Sequence, residues 1–411
     1  MTAAPLNTPR RPLPVQAADL RGLARLGVDA VVGVADVVEA MHHTILSRPG
    51  ITGPASTGRT GGLTGLIYRS VRGTTRVVGK GLDAVLGRLP AAAQAQRQPQ
   101  REAWLAALNG VWGDHLLETG NPLAIAMRLR HQGRALDLNG APLDAQMASA
   151  SGRIVVLLHG LCMNDLQWSR QGHDHGAMLA REIGYTPIHL HYNSGRHVSH
   201  NGQEFAALLG QLVAAWPVPV EELVIVGHSM GGLVARSACH QAQGQPWMDK
   251  LTRLVFLGTP HHGAPLERGG RMIDVMFGIS PYGAPLARLG KARSQGITDL
   301  RYGNLQQADW HAGGRHAQRH DDRHPTPLPA GVQVFVAAAL IGKRTGERVG
   351  SMRDKLVGDG LVPLASALGQ HRNPALALNV PHGRQLVVTS ANHWDLLSRP
   401  EVAAKLLEWL A

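Results

Sequence analysis

Apolar positions along the chain change their period near residue 123. Before it they recur at helical spacing. Residues 20–46 carry Val31, Val34, Val38, Met41 and Ile45 three or four apart, which predicts one helix. Residues 63–89 predict a second. There Leu63, Leu66, Ile67, Val71, Val78, Leu82, Val85 and Leu89 form an apolar stripe, and Arg69, Arg72, Arg76 and Lys80 lie on the other face. Residues 102–118 predict a third helix, and two polar stretches, "SRPGITGPASTGRTGG" and "AAAQAQRQPQ", read as linkers. The expected organisation is a disordered N-terminus over 1–19, a helical extension over 20–121 and one catalytic domain over 122–411. The stripe is expected to pack as a helical hairpin. The alternative, suggested by the basic face, is an interfacial helix lying on lipid.

After residue 122 short apolar runs alternate with helical stretches. "AIAMRLR" and "RALDL" predict two strands around a turn at Gln132–Gly133. "RIVVLLHG", "IHLHYN", "ELVIVG", "RLVFLGTP", "VQVFVAAAL" and "QLVVTSA" predict further strands, and "PEVAAKLLEWL" a closing helix. Continuous apolar strands separated by helices describe a mostly parallel sheet covered on both faces, with the first two strands as an antiparallel edge. About seventy residues separate two of these strands, so residues 262–331 are expected to form a lid or cap insertion. Its apolar residues include Met272, Ile273, Val275, Met276, Phe277 and Ile279.

Composition narrows the classes. The formal charge of +12 is split about evenly before and after Ser151, so no basic tail dominates. Basic stretches are not interleaved with stacking aromatics, which argues against nucleic-acid binding. Two cysteines, Cys162 and Cys239, make neither a disulfide framework nor a zinc site. The start lacks an apolar signal segment and no run is long and apolar enough to span a bilayer, so a cytoplasmic location is expected, with peripheral membrane contact through the N-terminal helices as the one exception.

"VIVGHSMGGLV" at 224–234 carries the chemistry. A strand runs into Gly227, His228, Ser229, Met230 and Gly231, and a helix follows. Glycines two residues either side of a serine let strand and helix approach at a sharp turn, which projects the hydroxyl at the carboxyl edge of the sheet. The Met230 N–H at the helix start is placed for developing negative charge. A second donor is expected from "VVLLHGLCMND", where Gly160 leaves room and the Leu161 N–H faces the same point, with His159 holding the loop. Cys162 is expected to be a small buried apolar residue there.

A serine nucleophile needs a base and an orienting acid. Of the 22 histidines, His393 follows the last strand and precedes the final helix, the expected place for the base. His261 and His262, after an earlier strand, are expected to line the site, with His228 turned away from it. "GDGLVP" places Asp359 in a glycine turn ahead of His393 and makes it the leading acid, with Asp354, Asp321 and Asp322 as rivals. The segment holding His311, His316, His320 and His324 is expected to be a loop rather than a metal site.

"HGLCMND", "GHSMGG", "LGTPHHG", "GDGLVP" and "NHWDLL" together resemble an α/β hydrolase of the lipase/esterase kind, and within it bacterial proteins similar to the GPI inositol-deacylase lipase-like domain. The resemblance covers residues 123–411 and, more loosely, the N-terminal helices. It implies Ser229, Asp359 and His393 as a triad, Leu161 and Met230 as oxyanion donors, no metal and no cofactor. The expected activity is hydrolysis of small-molecule or lipid carboxylic esters through an acyl-serine. Amide or thioester cleavage, and a non-catalytic lipid-surface protein, are the alternatives.

Overall fold

The two periodicities correspond to two separate units. A computed structural model describes residues 16–46, 60, 62–86, 99–140, 143–147, 149–264, 294–311, 321–342, 344–345, 348–349 and 358–411. One unit takes Met1–Arg101 and Glu118–Ala124, the other Glu102–Leu117 and Ile125–Ala411. Most of the third predicted helix therefore belongs with the sheet rather than with the N-terminal extension.

The helical unit pairs α1 (Ala17–Leu46) with α2 (Gly62–Leu86). They come close at Gly79, where a Cβ would stand 2.7 Å from Val28. Their seam is ionic. Arg21 and Arg25 reach Asp83 at 2.7 and 2.6 Å, and buried Arg72 joins Asp36 at 2.8 Å and also buried Glu39. This corrects the expected faces of α2. Arg72 points inward, and Leu66, Ile67, Val71, Val78 and Leu82 are all more than 40 % exposed. Among the described residues the inner face includes Gly79 against Val28 and the paired charges of Arg72, Glu39 and Asp83, which the apolar pattern does not mark. The side chains of Val34, Val38, Met41, Ile45, Leu63, Val85 and Leu89 lie outside the described residues. No described helix is long and apolar enough to cross a membrane.

The sheet unit contains the rest of α3 (Pro99–Glu118), then β1 (Arg128–His131), β2 (Arg134–Ala135), α4 (Leu143–Gln146), β3 (Arg153–Leu158), α5 (His175–Ile183), β4 (Thr186–His191), α6 (Val198–Ala215), β5 (Glu222–His228), α7 (Met230–Gln241) and β6 (Leu251–Leu257). β7 (Gln333–Leu340), a small separate hairpin of β8 (Arg344–Thr345) and β9 (Arg348–Val349), β10 (Gln385–Thr389) and the closing helix Pro400–Leu410 follow. The eight-stranded sheet runs β2-β1-β4-β3-β5-β6-β7-β10. It is parallel except at its edge, where β1 pairs antiparallel with β2 and β4. Gln132 and Gly133 form the turn between β1 and β2, both at positive φ, as a two-residue hairpin of this hand requires.

Every residue from Ile154 to Leu158 is fully buried, and so is each from Leu223 to Val226. Alternate residues face opposite sides, so both faces of the central strands are covered. Register sets the carboxyl ends side by side: Leu158 opposes Gly227, His228 opposes Leu257, and Leu257 opposes Ala337.

The long insertion is partly built into this core. Helices Gln295–Tyr302 and Gln307–His311 are described. Buried Asp299 accepts hydrogen bonds from Val198 N at 2.8 Å and Asn304 Nδ2 at 3.0 Å, and meets His197 Nδ1 at 2.9 Å. Ile297 and Leu300 join the core. The apolar residues Met272, Ile273, Val275, Met276, Phe277 and Ile279 lie outside the described residues.

Candidate active site

The site starts at the turn from β5 to α7. Ser229 stands there at φ +53° and ψ −125°, a conformation that costs a non-glycine residue free energy and must be imposed by its surroundings. Its N–H donates to Leu257 O at 2.8 Å, and Gly232 N donates to its carbonyl at 3.1 Å. A Cβ on Gly227 would stand 2.5 Å from Gly232 N, and one on Gly231 would stand 2.3 Å from Leu158 O. Side chains at either position would push strand and helix apart and open the turn.

Asp359 and His393 meet at the neighbouring strand ends. His393 Nδ1 donates to Asp359 Oδ2 at 2.6 Å, and both side chains are almost fully buried. The other oxygen, Oδ1, accepts from Leu361 N at 2.9 Å and Val362 N at 2.8 Å, so the glycine turn fixes the carboxylate. His393 N donates to Asp359 O at 3.1 Å, a backbone bond alongside the side-chain one. Asn392 caps the short helix His393–Leu397 and forms a reciprocal capping box with Asp395. Asp395 is thereby occupied away from the imidazole. The His393 ring lies over Gly258, where a Cβ would be 3.0 Å from its Cε1. Gly258 follows the Leu257 whose carbonyl holds Ser229 N, so serine and imidazole share one corner of the sheet.

The loop after β3 closes on the same corner. A Cβ on Gly160 would be 3.0 Å from Ser229 Cβ and 3.4 Å from His228 Nδ1. Cys162 N donates to Ser194 Oγ at 3.0 Å and Met163 N to Gly160 O at 3.3 Å, while the Leu161 N–H has no partner among the described residues. The Met230 N–H opens α7, where helix geometry provides no acceptor. His159 holds the loop as expected of a neutral imidazole. Its Nε2 accepts from Tyr192 N at 3.4 Å, so Nδ1 carries the proton and donates to Gly160 O at 2.9 Å. Tyr192 stacks on it at 4.3 Å and donates its hydroxyl to His159 O at 2.7 Å. Burial pushes the His159 pKa down to about 3 and the Cys162 thiol up to about 12.

His228 is buried, with Nε2 3.3 Å from His393 O, its ring 4.7 Å from that of His393, and Trp168 and Trp394 beside it. Burial first, and the His393 charge second, push its pKa well below the ordinary value. His261 and His262 follow β6. They line a separate small cavity with Arg236, Asp309, Arg323 and His324, a cavity that neither Ser229 nor His393 lines. Arg236 Nη1 stands 3.5 Å from His261 Nδ1, and Arg323 Nη2 stands 3.4 Å from His262 Nδ1.

Among the rival acids, Asp321 pairs with Arg323 at 2.7 Å and with His371 at 3.1 Å, and Asp322 is exposed. Asp354, His316 and His320 lie outside the described residues. His324 pairs with Asp309 at 3.1 Å, and His311 ends a short helix. One other group has metal-like spacing among the described residues, Glu102, Asp165 and His191. Arg130 already bridges its two carboxylates at 2.7 Å each. Sequence reading did not single out Tyr192 or Asn392. Asn392 was findable, since Asn followed three residues later by an acid is a capping signal. Tyr192 was not, because its role depends on the stacking of two strand ends.

A parallel sheet with an antiparallel edge, a strained serine between β5 and α7, and an aspartate–histidine pair after β7 and β10 decide the fold. The chain has the α/β-hydrolase fold. Residues 149–283 match the family model of the PGAP1-like alpha/beta domain. Among solved structures, the mature form of the Bacillus licheniformis lipase BlEst2 is 19% identical with a TM-score of 0.39, over 63% of this chain and 91% of that one. The Pyrococcus furiosus esterase Pf2001 is 16% identical with a TM-score of 0.38, over 64% and 81%. No curated protein matches.

Proposed function

We propose that this α/β hydrolase cleaves carboxylic esters through an acyl-serine, with Ser229 as nucleophile, His393 as base and Asp359 as orienting acid. One observation carries the reading: a 2.6 Å bond from His393 Nδ1 to a buried carboxylate, at the corner where Ser229 is held strained. That bond leaves His393 Nε2 as the atom able to take a proton. Ser229 Oγ attacks the acyl carbon and its proton passes to Nε2. The carbonyl electron pair moves onto oxygen, and the Leu161 and Met230 N–H groups hold that charge. The tetrahedral intermediate collapses, the C–O bond to the alcohol breaks, and His393 returns the proton to the leaving oxygen. Water, deprotonated by the same Nε2, then attacks the acyl carbon, the bond from that carbon to Ser229 Oγ breaks, Nε2 returns the proton to Oγ, and the acid is freed.

An alcohol leaves more readily than an amine, so esters suit a site with a single acid–base group. The apolar residues of the insertion favour lipid or other apolar esters over sugars. Hydrolysis of a panel of p-nitrophenyl esters, phospholipids, amides and thioesters tests the substrate class. A fluorophosphonate probe tests the nucleophile: the expected outcome is labelling at Ser229 that Ser229→Ala abolishes. Folded parent protein that stays unlabelled and inert on every ester would replace this reading with a binding protein.

A further inference from the structure

We propose that the outward face of α2 docks on the surface of an anionic lipid bilayer. The claim concerns binding alone and stands apart from the esterase reading. Nine of the twelve large apolar residues exposed in the described structure lie on α1 and α2, so exposed apolar surface is concentrated in the helical unit. On α2 they are Leu66, Ile67, Val71, Val77, Val78 and Leu82, with Val77 exposed to 70%. At 1.5 Å per residue they run along about 24 Å of helix. A hairpin built to bury its apolar stripe would turn it inward, yet Arg72 and Asp83 face the partner helix here and the described stripe is left exposed.

The charges around the stripe point to the partner. Arg69, Arg76 and Lys80 are exposed and have no ion-pair partner among the described residues. At 100° per residue they fall together along one edge of the stripe. Asp83 is the only acid on α2, and Arg21 and Arg25 occupy it inside the seam. The outward face of α2 is therefore apolar and cationic with no acid of its own. An apolar face edged with basic residues lies in the headgroup region, its side chains among the upper acyl segments and its cations on phosphates. A second copy packed antiparallel on this face would set cations against cations along the shared edge, and a copy packed parallel would leave both basic edges without an opposite charge. An anionic bilayer supplies both the apolar contact and the opposite charge.

Flotation of the full chain with vesicles tests this. Phosphatidylcholine vesicles containing about 30% phosphatidylglycerol should carry the protein upward, pure phosphatidylcholine vesicles far less, and raising NaCl should release it. The combined Arg69→Gln, Arg76→Gln and Lys80→Gln variant should lose at least about tenfold in affinity for the anionic vesicles. The combined Leu66→Ser, Val71→Ser and Val78→Ser variant should lose binding altogether. All six positions face outward, so helical circular dichroism and Ser229 labelling should match the parent. Absence of parent flotation overturns the proposal, as does unchanged affinity in the glutamine variant. Self-association that the serine variant abolishes, with no vesicle binding in the parent, would assign the face to a second copy instead.

Discussion

The two units place charge and apolar surface in opposite ways. In the sheet unit, strands such as Ile154–Leu158 are apolar throughout and sealed from water, and charges gather at the strand ends. In the helical unit, Arg72 and Glu39 are inside and the aliphatic stripe of α2 is outside. The sheet gains its stability from area removed from water. On the described outward face of α2 the hairpin gives up that term, and guanidinium–carboxylate bonds link its two helices. A surface that a soluble protein hides is kept available in the unit that has no part in the strained serine turn.

The largest expected effect tests whether chemistry resides in the sheet unit alone. Asp359→Asn should lower kcat on an activated ester by about 10³–10⁴-fold with folding intact, because the imidazole loses its tautomer and its counter-charge. Ser229→Ala should cost at least as much. Asp321→Asn and Asp322→Asn should cost far less. Steady-state kinetics and circular dichroism on the same preparations decide it, and activity retained in Asp359→Asn would move the acid elsewhere.

Acid should separate the two units next. Burial holds His159 at about 3, His175 at about 4 and His262 at about 4 in the fold. Unfolded histidine binds a proton near pH 6.5, so the unfolded chain takes up more protons as pH falls. This contribution is complete above pH 6.5 and is lost toward the folded values. Each such histidine should cost up to about 1.4 kcal/mol per pH unit in that window. In the hairpin, Arg21 and Arg25 hold Asp83 below the usual carboxylate range, and Arg72 does the same for Glu39. That contribution is present above the unfolded carboxylate values near 4 and is lost only below them. Hydrogen exchange at pH 7.5, 6 and 5 should show protection falling in the strands before it falls in α1 and α2. The reverse order would break the comparison.

Smaller effects sharpen it within the hairpin. Arg72→Met leaves Glu39 and Asp36 without their cation and should speed amide exchange in α1 and α2 by about tenfold, while exchange in the strands and fluorophosphonate labelling of Ser229 should match the parent. Leu66→Ser and Val78→Ser, on the outward face of the same helix, should change stability by no more than about 0.5 kcal/mol. A large destabilisation from either would mean that the stripe packs against something in solution.

What could be read in advance follows from the range of the interactions. The serine turn was legible because strand, glycines and helix are consecutive. The pairing of Asp359 with His393 was legible from strand order, since both follow strands that lie side by side in the sheet. The antiparallel edge was legible from the Gln132–Gly133 turn. The inward face of α2 was not. A helix stripe normally marks the buried side, and nothing local shows that Gly79 admits α1 closely enough for Arg72 to reach Glu39. The Arg236 and Arg323 neighbours of His261 and His262 were not legible for a similar reason: they are distant in sequence. The insertion was read as one cap, yet Asp299 ties residues 294–311 to the start of α6.

Cys162 lies in the loop that carries Gly160, against Gly110 of α3, and Cys239 lies on α7 two to three turns beyond Ser229. Both thiols are buried and pushed up to about 12, and the chain has no others. Neither can react with an alkylating reagent until its surroundings open. The pair is therefore a built-in clock for breathing of the serine turn, one hand in the β3 loop and one on α7. Labelling rates measured separately by peptide mass would report which side opens first, and by how much an acyl group on Ser229 slows it.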